Sequence, residues 1–102
     1  MSEPLKAAFI FIAPEADPRT HQSWIKTPAV HLLAVGVKNY EQAVVTAERL
    51  VTEEGIAAIE LCGGFGSAGT AKVAAAVKVP VGVVRFDVHP GLGGKSGDTL
   101  FG

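Results

Sequence analysis

Residues 7–13 read Ala-Ala-Phe-Ile-Phe-Ile-Ala, an unbroken apolar run between Lys6 and Pro14. A run this short, closed by a proline, suits a strand better than a helix. Because it is continuous rather than alternating, the strand it predicts is covered on both faces. Residues 29–37, Ala-Val-His-Leu-Leu-Ala-Val-Gly-Val, repeat the pattern with only His31 interrupting. Strands of this kind belong to parallel sheets, and parallel sheets need crossover connections.

The rest of the chain supplies them. The first strand spans Lys6 to Ala13. Asp17 followed by Pro18 reads as an N-cap and a first-turn proline. A short helix is therefore expected to Lys26, with His21, Trp24 and Ile25 on one face, stopped by Pro28. After the second strand, Ala29 to Val37, Asn39 and Gln42 form a variant of the capping box. Tyr40, Ala43, Val44, Ala47, Leu50 and Val51 then follow helical spacing, and Gly55 ends the helix. A third strand, Ile56 to Cys62, leads into a glycine loop, Gly63 to Gly69. A helix of small residues, Thr70 to Lys78, and a fourth strand, Pro80 to Phe86, follow. The connection from Pro14 to Pro28 has room for a crossover, so all four strands can be parallel. The expected fold is one α/β domain over residues 1–102: a small, mostly parallel four-stranded sheet with βαβαβ crossovers, a flavodoxin-like fragment or half of a β/α barrel. Residues 87–102 form a glycine-rich tail.

Composition narrows the function classes. The chain has 102 residues, 48% of them hydrophobic, and a net charge of −1. That excludes disorder, and no basic excess or cluster speaks for nucleic acid. The longest charge-free runs, Thr27 to Val37 and Leu61 to Ala71, are 11 residues each, short of the ~18 a membrane helix needs. The apolar stretch after Lys6 is too short for a signal peptide and no Ala-x-Ala site follows it, so the chain is expected in the reducing cytoplasm. The single cysteine, Cys62, has no intrachain disulfide partner. A core this thin, with two open sheet edges, predicts a homo-oligomer.

Open parallel sheets bind ligands beyond the carboxyl ends of their strands. Topology sends Glu15 and Asp17, Lys38 and Asn39, the glycine loop, and Asp87 and His89 to that edge. The loop reads Cys62-Gly63-Gly64-Phe65-Gly66-Ser67-Ala68-Gly69, in which Gly64, Gly66 and Gly69 match G-x-G-x-x-G. A strand before it, a helix after it and Asp87 downstream are the context of a phosphate loop. Only one strand follows, however, which disfavours a dinucleotide and leaves a smaller anion or a packing turn. No cofactor is assigned. Gly94-Lys95-Ser96 imitates the end of a nucleotide-binding loop, but the position that should hold its first glycine is His89.

Side-chain chemistry adds further candidates. Asp87 and His89 point the same way in an extended segment, as do Glu15 and Asp17. They suit general acid and base work, or a divalent ion held by oxygen and imidazole ligands. Asp17 as a cap and His89 in a turn before Pro90 are the plainer readings. Glu60 and Cys62 share one side of the third strand. Arg85, in the fourth, either pairs with Glu60 or clamps a substrate carboxylate. Cys62 reads as a small buried residue, and His21 and His31 as packing residues.

Four stretches carry a resemblance over nearly the whole chain: Ala-Pro-Glu-Ala-Asp-Pro (13–18), Val-Gly-Val-Lys-Asn-Tyr (35–40), Ile-Glu-Leu-Cys-Gly-Gly-Phe-Gly (59–66) and the segment from Val84 to Asp98. They resemble a small bacterial family of about this length, a domain of unknown function, which implies a fold but no reaction. Gly36 to Phe86 is more distantly similar to βαβαβ segments of aldolase-type β/α barrels, without a Schiff-base lysine in a strand.

Two functions follow. One is a small oligomeric enzyme or binding protein that takes an anionic metabolite at the sheet edge. Gly63, Gly64, Gly66 and Ser67 would hold it, Arg85 and Glu60 would assist, and Asp87, His89 and Glu15 would serve as acid/base groups. The other is a non-catalytic assembly or regulatory module with a structural glycine loop.

Overall fold

The structure is a computed structural model, and it describes residues 3–102. The elements are β1 (Leu5–Ile12), β2 (Gln22–Lys26), β3 (Val30–Val37), α1 (Tyr40–Glu54), β4 (Ala58–Leu61), α2 (Ser67–Ala76), β5 (Val81–Val83), a 3-10 turn (Pro90–Leu92) and α3 (Gly97–Phe101). They build one five-stranded sheet in the order β2-β3-β1-β4-β5. β3, β1, β4 and β5 run parallel, and β2 is antiparallel to β3. No helix of the described residues is long and apolar enough to cross a membrane.

The sheet therefore has five strands, not the expected four. The segment from Asp17 to Lys26 is not a helix. Asp17 does cap a turn: its carboxylate accepts from the Arg19 N–H at 2.9 Å, and its carbonyl accepts from Thr20 and His21. The helix stops there, because residues 22–26 gain more by pairing with β3. In that register Trp24 lies opposite Leu33 and packs against the core. Pro28, expected as a helix stop, sits in a hairpin turn. Thr27 closes that turn through its N–H to the Val30 carbonyl at 2.8 Å, and its hydroxyl accepts from the Val30 N–H at 3.0 Å.

α1 forms as the spacing predicts. Asn39 accepts from the Gln42 N–H at 2.8 Å, the Gln42 side chain accepts from the Lys38 N–H, and Gly55 ends the helix at φ 71°. α1 crosses from β3 to β4 and α2 from β4 to β5. Both steps run in one direction across the sheet, so right-handed crossovers put both helices on one face. Ala8, Ile10, Leu33, Val35, Ile59 and Leu61 meet them there and are buried, with Ala43, Ala47, Leu50 and Val73 as the helical side of the core. Doubly wound sheets carry helices on both faces; among the described residues both crossover helices lie on the same face.

α2 begins at Ser67, three residues before the expected start, and β5 keeps only three residues of the predicted Pro80–Phe86 strand. The glycine-rich tail has structure of its own. It folds back as an arm in which His89 and Lys95 form a short antiparallel bridge and α3 docks beside α2.

Candidate functional site

Four buried glycine-loop residues, Gly63 to Gly66, join β4 to α2. Five N–H donors from Gly64 to Gly69 are already engaged, those of Gly64 and Phe65 by Cys62 and those of Gly66, Ala68 and Gly69 by Tyr40 and Asp98. Ala68 and Gly69, at the start of α2, donate their N–H groups to the Asp98 carboxylate at 2.9 and 3.3 Å. The Tyr40 hydroxyl donates to the same carboxylate at 2.9 Å and accepts from the Gly66 N–H at 3.0 Å. A helix N-terminus favours an anion; in this chain the anion is Asp98, supplied by the arm. Ser96 in turn accepts from the Asp98 N–H and starts α3.

The glycines serve this dock. A side chain at Gly66 would strike the Asp98 carboxylate, one at Gly69 the Tyr40 ring, and one at Gly97 the Gly64 carbonyl. Tyr40 stacks on Phe65 at 5.5 Å and meets Phe101 at 5.6 Å, so one aromatic column ties α1, the loop and α3 together. Burial pushes the Tyr40 hydroxyl up to about 12, with the neighbouring Asp98 charge adding to the rise. The Ala68 N–H, joined by the Tyr40 hydroxyl and the Gly69 N–H, holds the Asp98 carboxyl below the usual carboxylate range.

Between arm and sheet edge lies a cleft of about 490 Å³. Ile12, Ala13 and Pro14 form one wall, Cys62 to Gly64 the floor, and His89, Gly91, Leu92, Leu100 and Phe101 the wall made by the arm. The Cys62 thiol accepts from the Ile12 N–H at 3.4 Å and the Gly64 N–H at 3.3 Å, fastening the end of β1 to the loop. His89 meets Phe86 in a tilted pair, ring centres 4.5 Å apart, and its Nδ1 accepts from the Gly91 N–H at 2.9 Å. That bond leaves the proton of the neutral ring on Nε2.

A family of unknown function (DUF6506) matches residues 5–99. The chain belongs to that family. No curated protein and no solved structure matches it. The family match spans every strand and both crossover helices, together with the loop and Asp98; Leu100 and Phe101, which complete the arm's wall of the cleft, lie just past its end.

Of the residues singled out in the sequence, Gly63, Gly64 and His89 line the cleft, and Gly66 and Ser67 lie at the start of α2. Glu15 and Asp87 do not line it. Glu15 is exposed in a turn after β1, at φ 60°. Asp87 accepts from Arg85 at 2.8 Å in a pair that is mostly exposed. Arg85 thus pairs with Asp87 and not with Glu60, because β5 ends at Val83 and the alternation that would align Arg85 with Glu60 breaks off. Glu60 points to the other face of the sheet, beside Phe9 and Gly82. Among the described residues, no three His, Cys, Asp or Glu side chains gather to hold a metal ion. Tyr40 and Asp98 were not singled out. Tyr40 passed as one more member of an apolar stripe, and the one local signal for Asp98 was Ser96 as a cap two residues before it.

Proposed function

We propose that this chain is a small ligand-binding protein whose site is the cleft between the ends of β1 and β4 and the C-terminal arm. The cleft itself carries the reading. Its volume of about 490 Å³ falls in the range of ~300–1,000 Å³ common to small-molecule sites. Its walls are largely apolar, and its side-chain polar groups are the Cys62 thiol and the His89 imidazole. These features fit a small molecule with an apolar body and one acceptor group that meets His89 Nε2–H. An anionic metabolite on the glycine loop fits less well, since it would have to displace the Asp98 carboxylate from Ala68 and Gly69. The lone thiol suits a reducing cytoplasm.

A thermal-shift panel tests this on the wild type and on the His89→Phe and Asp98→Asn variants. Stabilisation by short hydrophobic acids or alcohols, lost in His89→Phe, supports the proposal. Stabilisation by phosphate esters that grows in Asp98→Asn would replace it with the anion reading.

A second reading, a non-catalytic assembly module, is favoured by that same Asp98 contact. Under it the glycine loop exists to receive the arm, and no compound in the panel shifts the melting temperature.

A further inference from the structure

We infer that the helix-free face of the sheet is a homodimer interface in which two copies stack sheet on sheet. β1 and β3 have the continuous apolar sequence of strands covered twice, yet α1 and α2 cover them only once. On the uncovered face Phe9 lies between Ala34 of β3 and Glu60 of β4. Phe11 lies over Gly36, and Leu32 stands opposite Ile25 of β2, which is 56% exposed. A sheet with an apolar second face is an unfinished layer, and burying that face takes another layer.

Size and charge point to a second copy. The five strands, of 8, 5, 8, 4 and 3 residues, give at ~3.3 Å rise and ~4.8 Å spacing a face of about 450 Å² in plan, before the relief of its side chains and the flanking loops is added. Each partner in a standard interface gives up about 800 Å². Among the described strand residues, Glu60 is the one charged side chain on this face. Nucleic acid or a strongly charged peptide therefore finds no complement there, whereas a second apolar sheet does, packing about 10 Å away. The neighbour of Glu60 on the short edge strand β5 is Gly82, which carries no side chain, so the carboxylate reaches past that edge to water. The result is a helix–sheet–sheet–helix assembly joined through the sheet face, with the strand edges left free.

Sedimentation equilibrium of the full chain tests this. The expected species at micromolar concentration has twice the 10.5 kDa chain mass. Ile25→Lys should raise the dimer Kd roughly tenfold or more, as a charge forced into an apolar interface does. Val45→Lys, on the helix side where Val45 is 65% exposed, should leave it unchanged. Circular dichroism confirms that each variant folds. Hydroxyl-radical footprinting of the wild type gives a reading that needs no variant: oxidation of Phe9 and Phe11 should fall as concentration rises while that of Val45 stays constant. A monomer across this range, or a dimer weakened by Val45→Lys and not by Ile25→Lys, overturns the inference.

Discussion

Asp98→Ala is the most informative single substitution, because one carboxylate holds the arm to the sheet edge. It accepts from Ala68, Gly69 and Tyr40, so its removal uncaps α2 and leaves the Tyr40 hydroxyl without its acceptor. Loss of a cap costs about 0.5–2 kcal/mol. A polar group left unpaired adds about 1 kcal/mol more where water cannot reach it. Water can refill part of this half-buried site, which brings the expected loss to about 1–2 kcal/mol, or roughly 5–12 °C in melting temperature for a domain of this size. Asp98→Asn should lose less at neutral pH, and its deficit should depend on pH. The Asp98 carboxyl lies below its ordinary value in the folded state. The stabilisation it provides is therefore present above the ordinary carboxylate range and disappears as pH falls through the lowered value. Wild type and Asp98→Asn should thus converge in acid. Calorimetry against pH measures the effect, and hydrogen exchange at the Ala68 and Gly69 amides localises it. An unchanged melting temperature with unchanged protection at those two amides would refute the reasoning.

Three further outcomes are expected. Stability should fall as pH rises from about 10 towards about 12, because the folded state holds the Tyr40 proton more tightly than the unfolded chain does; Tyr40→Phe should flatten that alkaline limb in denaturant titrations. Gly97→Ala, whose new methyl group meets the Gly64 carbonyl, should release α3 and expose the loop to proteolysis while the sheet's circular dichroism is retained. Arg85→Met should barely move the melting temperature, since exposed pairs such as Arg85–Asp87 contribute about 0–1 kcal/mol; a loss of several kcal/mol would point to a buried role for Arg85 that its exposure denies.

Local signals settled much of the fold. The apolar runs at 7–13 and 29–37, the Asn39–Gln42 cap and Gly55 each act within a few residues, so β1, β3 and α1 were legible in order and almost to the residue. Segment 17–26 was not, because its Asp-Pro start favours one helical turn locally while Trp24 gains its burial only once β3 lies beside it. The site divided in the same way. The glycine loop at 63–66 and His89 could be placed at the sheet edge from topology alone. What fills the loop could not, because Asp98 reaches Ala68 across 30 residues through an arm whose sequence, rich in glycine, carries no periodicity. Nor could the pairing of Arg85, which depends on where β5 ends. The sequence alone determined that β1 and β3 require cover on both faces. Only the tertiary structure decided that the chain's own helices cover one of them, because two right-handed crossovers running in the same direction must land on the same side of the sheet.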